Sequence, residues 1–338
     1  MKKKIFSYNE FYLFLILLVF VIVLTIVNPS FFTLENLFDL LKNSAGTAIL
    51  AMGVFIVLLS GGIDVSFTAI AIAGEYVAVN LLNALGISNI YLAFAISCSL
   101  GILLGVINAI LISIFELPTL IATLGTLNFF HGALLTFLGT KAVNVGQLPN
   151  CFKVFGSKNI FTLIKSDGTQ YGLSVYVLIL IAVVIISWII LRFTMLGRGI
   201  YAIGGNKEAA KRGGFNVVKI QFFIYCYVGF LAGIMGVMHV SLIQYSNPMY
   251  IVGDELSVIA AVVLGGASIT GGSGSVIGTL LGVSMITILE KNLVLIGLSS
   301  YWHKFFIGLI ITLGVSATYY QAKVRGRKTL SYLKQKTY

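Results

Sequence analysis

Two acidic residues that interrupt apolar runs are the first candidates for chemistry in this chain. Asp64 follows a glycine pair in the run GGIDVS, and Glu75 lies midway along the next apolar stretch. An ionisable group inside a long apolar segment is costly to bury, so both are candidate residues of a solute path. For Asp64 we favour the alternative of an N-terminal helix cap, in which a carboxylate accepts from free backbone amides. For Glu75, a pore-facing role and an interhelical hydrogen bond made in its protonated form are about equally plausible.

A polar stripe follows on a later apolar segment. Thr119, Thr123 and Thr126 lie at helical spacing on one face, and Asn128 and His131 follow. Thr123, Thr126, Asn128 and His131 are the candidates for a path. Hydroxyl and amide groups on one face are what a path for a polar, uncharged solute would present. Threonine hydroxyls also bond the backbone of their own helix, which is the commoner role for any single threonine. These four side chains complete the set of candidate path residues.

The sequence carries none of the patterns that catalysis or a metal site would need. His131, His239 and His303 stand in separate segments without acidic or cysteine neighbours at ligand spacing. The glycine-rich run at 265–275 lacks the Gly-Lys-Ser/Thr ending with which a P-loop holds phosphate and magnesium. No serine, cysteine or histidine falls in a nucleophile motif. We therefore expect neither an enzyme nor a bound cofactor, and no ATP hydrolysis by this chain.

The composition predicts a membrane protein. Hydrophobic residues make up 58% of the 338 residues, charged residues only 10%, and the mean hydropathy is +1.01. A soluble core could not bury so much apolar surface. The net charge of +11 invites a nucleic-acid partner, but the basic residues concentrate near both chain ends and in the loop 192–219. Such residues mark the cytoplasmic side of a membrane protein, so no nucleic-acid partner is expected.

The apolar runs predict an all-α integral membrane protein of about ten transmembrane helices, folded as a single domain over residues 1–338. The predicted segments are 11–27, 45–60, 65–82, 90–115, 118–138, 173–191, 220–243, 256–269, 276–289 and 301–319. An even number lies on either side of the basic loop, so both termini are expected in the cytoplasm. The interval 139–172 then lies outside the cell, although it contains several lysines.

The basic loop 192–219 is predicted to be a small structured unit on the cytoplasmic side. Asn206 can cap a short helix over 207–212 by accepting from the free backbone donors of its first turn. Gly213 and Gly214 can end that helix.

Glycine pairs interrupt the apolar pattern in two corresponding places. They are Gly61 and Gly62 in the first half of the chain, and Gly265, Gly266, Gly271 and Gly272 in the second. Glycine lets a helix end at membrane depth, and paired broken helices in two halves point to a transport path between internal repeats. Close packing of helices on glycine is about as plausible for any single pair.

Several stretches resemble the permease subunits of the ribose/simple-sugar family of ABC importers. They are LLSGGIDVS at 58–66, IATLGT at 121–126, LGRGIYAIGGNKEAAKRGGFNV at 196–217, DELSVIAAVVLGGASITGGSGSVIGTLLG at 254–282 and NLVLIGLSSYW at 292–302. The resemblance covers nearly the whole chain in order. The GGN-x-EAA loop and the glycine-rich run together make it highly specific.

The resemblance implies a dimer of ten-helix permease subunits, identical or not, among the lipids of the bacterial cytoplasmic membrane. Such a dimer receives sugar from an extracytoplasmic binding protein and is driven by a separate cytoplasmic ATPase, which binds the ATP and magnesium. The loop that docks on the ATPase corresponds here to Gly205, Asn206, Glu208, Ala209, Ala210 and Gly214. We therefore expect a monosaccharide permease that works by alternating access. The alternatives are an importer of a nucleoside or autoinducer on the same plan, and an ion-coupled secondary transporter.

Overall fold

The structure is a computed structural model, which describes residues 8–165, 168, 170–292, 302, 304–309 and 312. The α-helices are α1 (Tyr8–Val27), α2 (Leu34–Leu59), α3 (Phe67–Leu85), α4 (Ile90–Ser113), α5 (Thr119–Leu138), α6 (Asn150–Ser157), α7 (Val175–Phe193), α8 (Met195–Gly205), α9 (Lys207–Arg212), α10 (Val217–Ile243), α11 (Glu255–Leu264) and α12 (Val276–Asn292). A short 3-10 helix (Pro29–Phe32) precedes α2. The strands β1 (Asn159–Ile164) and β2 (Gln170–Ser174) form an antiparallel hairpin before α7.

Among the described residues, seven helices are long and apolar enough to cross a membrane: α1, α2, α3, α4, α5, α7 and α10. They correspond to the first seven predicted segments, so a mostly helical membrane architecture is confirmed. α11 and α12 fall in the eighth and ninth segments but span only 10 and 17 residues. The tenth segment, 301–319, and the basic residues at both chain ends lie largely outside the described residues. The count of ten and the cytoplasmic termini therefore stay predictions.

α2 begins well before the start that the sequence predicts at residue 45. The hydroxyl of Thr33 caps the helix by accepting from the N–H of Asn36 (3.3 Å). The first turns carry Glu35, Asp39 and Lys42, whose charges interrupt the apolar pattern that marks a membrane segment. The helix is continuous because its polar first turns precede the buried part, which begins at Ala45.

Glycine allows α4 and α10 to pack almost backbone to backbone. A methyl group on either Gly101 or Gly229 would overlap the carbonyl oxygen of the other residue. A methyl group on Gly105 would overlap the carbonyl oxygen of Tyr225, and one on Gly233 would lie 2.6 Å from a backbone oxygen of α4. The glycines recur four residues apart on each helix, which is the small-residue spacing that lets membrane helices approach closely. α2 and α3 then pack on α10 and complete the central bundle.

The interval 139–172 folds into α6 and most of the hairpin, which departs from the all-α expectation. Gly156 on α6 fits directly against the backbone of Ser241 near the end of α10. Val143 pairs with Ser246 through two backbone hydrogen bonds of 2.8 and 3.0 Å. The interval therefore lies at the end of α10 that is remote from the basic loop.

Candidate functional site

The first predicted helix break lies between α2 and α3. Gly61 takes a φ of +80°, a backbone conformation that glycine adopts readily. Threonines of α5 bond the backbone groups that the break frees. The hydroxyl of Thr119 accepts from the N–H of Ile63 (3.0 Å), and that of Thr123 accepts from the N–H of Val65 (3.3 Å). Part of the threonine stripe on α5 therefore stabilises a broken helix.

Asp64 is buried within this break, with 1% of its surface exposed. Its Oδ1 accepts from both the backbone N–H and the hydroxyl of Ser66, each at 2.7 Å. The side-chain amide of Asn108 on α4 donates to the same hydroxyl (2.7 Å). Because α3 begins at Phe67 with Ser66 as its N-cap residue, the cap interpretation of Asp64 is wrong. The carboxylate instead closes a local turn just before the helix.

The second predicted break lies between α11 and α12. Gly265 follows the last residue of α11 and packs against the backbone of Gly278 on α12. Gly266, Gly271 and Gly272 take φ values of +89°, +90° and +74°. A side chain would strain each of these positions, so the break depends on more than a single glycine pair.

The two breaks meet each other and the end of α8. The N–H of Gly272 donates to the carbonyl oxygen of Leu59, the last residue of α2 (2.9 Å). A Cβ on Gly271 would fall 2.7 Å from the Cα of Gly61 and 2.8 Å from the oxygen of Gly204. We call this contact among Leu59, Gly61, Gly204, Gly271 and Gly272 the glycine junction. It joins α2 and α8 to the connection between α11 and α12.

The basic loop forms α8, α9 and the turn after them. Asn206 caps α9, because its Oδ1 accepts from the N–H of Ala209 (2.9 Å), and α9 ends at Gly213. The predicted cap and helix are thereby confirmed. Ala210 is buried, whereas the other residues matched to the docking loop are exposed: Gly205, Asn206, Glu208, Ala209 and Gly214. These exposed residues form a surface that is accessible to a partner.

A cavity of about 430 Å³, lined by both polar and apolar residues, opens between α2, α3, α7, α10, α11 and α12. Its lining includes the charged groups of Lys42, Asp254, Glu290 and Lys291 and the hydroxyls of Thr47 and Thr287. Tyr176 also belongs to the lining but is only 1% exposed, and the Nζ of Lys42 lies 6.0 Å from its ring centroid. Convergent hydroxyl and charged groups suit a polar, hydroxylated solute.

Of the predicted path residues, Glu75 lies beside this cavity. Its side chain is fully buried and makes a hydrogen bond of 2.7 Å to the Nδ1 of His239, whose ring lines the cavity. The hydroxyl of Ser246 donates to the other carboxylate oxygen (2.7 Å). Glu75 therefore makes an interhelical hydrogen bond to α10, while the protonated form considered for it stays a prediction.

The other predicted path residues are not among the described residues that line the cavity. The hydroxyl of Thr126 donates to the carbonyl of Thr123 within α5 (3.3 Å). Asn128 is exposed and donates to its own helix backbone (2.8 Å). The Nε2 of His131 lies 2.9 Å from the carbonyl oxygen of Pro248. A path along this face of α5 stays a prediction, separate from the cavity.

Sequence reasoning missed Lys42 and Asn43 of α2 as cavity residues, because the predicted segment began after them, at residue 45. Lys42 and Asn43 lie four residues before Gly46 and Thr47, and all four line the cavity. The i, i+4 spacing of these residues crosses the predicted helix start at residue 45. It was the sequence signal that the helix begins earlier.

Comparison with known proteins places the chain among membrane permeases. Residues 36–315 match the family described as branched-chain amino acid transport system / permease component. The ribose import permease protein of Escherichia coli (strain K12) is 34% identical over 301 residues, which cover 88% of this chain and 90% of that protein. The corresponding protein of Bacillus subtilis (strain 168) is 35% identical over 303 residues, covering 89% and 90%. The autoinducer 2 import system permease protein of Enterobacter sp. (strain 638) is 31% identical over 333 residues, covering 98% and 93%. No solved structure gives a significant match.

Proposed function

Because this chain belongs to the family described as branched-chain amino acid transport system / permease component, we propose that it is the permease subunit of an ABC importer that carries a monosaccharide into the bacterial cytoplasm. A separate ATPase drives it from the cytoplasmic side, an extracytoplasmic binding protein delivers the sugar, and a second permease subunit completes the path. The similarity to ribose import permeases supports a sugar of this kind.

The observation that carries this proposal is the glycine junction. Through Gly204, the basic loop contacts the end of α2 and the connection between α11 and α12. α2, α11 and α12 also line the cavity. A displacement of the loop by a partner is therefore passed by direct contact to helices that shape the cavity. This is what alternating access requires of a subunit without its own ATPase site.

The cavity supports a polar, uncharged solute. Hydroxyls of Thr47 and Thr287, which line the cavity, can bond sugar hydroxyls. Both signs of charge are present, with Lys42 and Glu290 among the lining residues. A lining of mixed charge favours a neutral solute over an ion of either sign.

Docking of the ATPase is tested with the double variant Glu208→Lys, Gly213→Leu. Glu208 is exposed, and Gly213, the C-cap residue of α9, takes a φ of −75° that other residues also adopt. A leucine Cβ there would lie 3.3 Å from the backbone oxygen of Ala209, so the change alters both the surface and the backbone at the end of α9. We expect the variant to lose co-purification with the ATPase and to keep binding-protein contact. Lys158→Glu, an exposed charge reversal in the interval remote from the loop, is the control. Normal co-purification of the double variant would refute the docking surface.

Two solute paths make different predictions for uptake. If the cavity is the path, Thr47→Val lowers uptake while the amount of permease in the membrane is unchanged. If the polar face of α5 takes part, Asn128→Leu or His131→Leu does the same. Uptake of labelled sugar, normalised to membrane-inserted protein, separates the two. Native uptake by the α5 variants would remove that face from the path.

The solute itself is identified through the cognate binding protein. A calorimetric screen with sugars, nucleosides and autoinducer 2 is expected to give a monosaccharide hit. A nucleoside or autoinducer 2 hit without any sugar hit would replace the substrate, and the similarity to an autoinducer 2 permease makes that ligand the first competitor. ATP-independent uptake by this chain alone in proteoliposomes would instead indicate a secondary transporter.

A further inference from the structure

The buried carboxylate of Glu75 holds a histidine that borders the cavity. Glu75 has no exposed surface, and its two oxygens are bonded by separate partners, His239 on α10 and Ser246 after α10. An ionisable group this deep is retained only where it is fully hydrogen-bonded. The arrangement fixes the carboxylate, and the carboxylate in turn fixes the ring that it contacts.

The backbone on both sides of this contact is built for a close approach. A Cβ on Gly236 would lie 3.1 Å from the nitrogen of Glu75 and 3.2 Å from its Cβ, so α3 and α10 touch there. His239 follows Gly236 by one helical turn and therefore faces the same helix. Ser246 is held in place by its two backbone hydrogen bonds to Val143.

The contact leaves one ring nitrogen for the cavity. With Nδ1 of His239 bonded to Glu75, its Nε2 has no hydrogen-bond partner among the described residues, and 19% of the side chain is exposed. The ring lines the cavity beside Thr68 and Asp254. A carboxylate that accepts a hydrogen bond from Nδ1 requires a proton on that nitrogen and sets the orientation of the imidazole. Carboxylates fix the rings of metal-binding histidines in the same way.

We propose that Glu75 is a positioning residue, which holds Nδ1 of His239 so that Nε2 makes a hydrogen bond with a hydroxyl of the solute in the cavity. This inference rests on the proposed function, because it takes the cavity to be the solute path. Glu75 acts through His239 and does not touch the solute.

The first test measures the histidine directly. The chain has three histidines, so a permease labelled with 15N-histidine gives few ring signals, and the signals of His239 are those lost in His239→Gln. We expect Nδ1 of His239 to be protonated in the native permease and in Glu75→Gln, which keeps an acceptor oxygen. In Glu75→Met, which removes the acceptor at similar length, we expect the proton to move to Nε2. An unprotonated Nδ1 in the native permease would overturn the inference even if no Glu75 variant folded.

The second test measures uptake by the complete transporter with its ATPase and binding protein. Loss of one well-placed hydrogen bond predicts a fall of about tenfold in maximal uptake for Glu75→Met and for His239→Gln. Glu75→Gln is the matched control and is expected to keep uptake within about twofold. In the His239→Gln background, Glu75→Met should add no further loss, because a positioning residue acts only through its partner. An additional loss there would show a purely structural role and refute the inference.

The two tests separate the inference from the proposed function. A native-like 15N pattern that responds to Glu75→Met, together with normal uptake by His239→Gln, would mean that the cavity is not the solute path. The inference and the cavity path would then both fail, whereas the permease role, which also allows a path along α5, would stand. A wrong protonation of Nδ1 would overturn the inference alone, since the role of the loop and cavity does not depend on it.

Discussion

A single methyl group at Gly204 is expected to disrupt the glycine junction. In Gly204→Ala, the new Cβ would overlap the carbonyl oxygen of Leu59 and would lie 2.6 Å from the nitrogen of Gly272. Ordinary van der Waals contact begins near 3.4 Å, so α8 must move by at least about 0.8 Å from Gly272. The obstructing atoms belong to the backbone and cannot rotate away. Gly205, the next residue, is the matched control, because a Cβ there meets nothing within 4 Å.

The cost of this change follows from two contributions. Overpacking against backbone costs about 1–3 kcal/mol. The displacement also weakens the 2.9 Å hydrogen bond from Gly272 to Leu59, which contributes about 0.5–1.5 kcal/mol. Together they lower the free energy of unfolding by about 2–4 kcal/mol, or the Tm by on the order of 5 °C. Gly205→Ala is expected to raise stability slightly, by up to about 0.5–1 kcal/mol, because alanine restricts the unfolded chain.

The assay is thermal unfolding of the purified permease in detergent, without its partners. Both variants replace a glycine of α8 by alanine, one position apart, so the gain in helix propensity is similar in the two. The difference between their Tm values therefore measures the cost of disrupting the glycine junction. Equal Tm values for Gly204→Ala and Gly205→Ala would refute the close contact between the loop and the two breaks.

Two further predictions concern the helix packing and the loop. Gly101→Ala is expected to lower stability by about 1–3 kcal/mol, because the methyl group would overlap the backbone of Gly229. Gly132→Ala on α5 meets nothing within 4 Å and should raise stability slightly, by up to about 0.5–1 kcal/mol. Detergent-denaturation midpoints compare the two variants, and an equal effect would contradict the packing of α4 on α10. Asn206→Ala is expected to destabilise α9 by about 1 kcal/mol through loss of its cap. Hydrogen exchange at the amide of Ala209 should then rise by about fivefold, and unchanged exchange would show that the cap is dispensable.

Local features of the fold were readable from the sequence because they depend on neighbouring residues. The apolar runs located seven long helices, and Asn206 with Gly213 marked the bounds of α9. The start of α2 was misplaced because charged residues in its first turns hide a helix from a hydropathy pattern. The hairpin was missed because two short, exposed strands bury little apolar surface and so leave no strong alternation.

The candidate site was only partly predictable. The glycine pairs indicated the helix breaks, and Glu75 was correctly marked as needing a partner. Nothing in the sequence paired it with His239, which lies on α10, far along the chain. Asp64 was misread as a cap because the cap position depends on where α3 starts, and the turn with Ser66 shifts that start.

The sequence by itself determined the membrane class, the family, the basic loop and the places where helices break, since each of these follows from composition or from contiguous residues. Only the tertiary structure decided that both breaks meet the loop at Gly204, and that α2, α10 and α12 enclose a cavity with charged and hydroxyl groups in its lining. Such contacts join residues from distant segments, and they depend on backbones that approach closely wherever glycine leaves room. The sequence shows where each glycine lies but not which distant backbone packs against it.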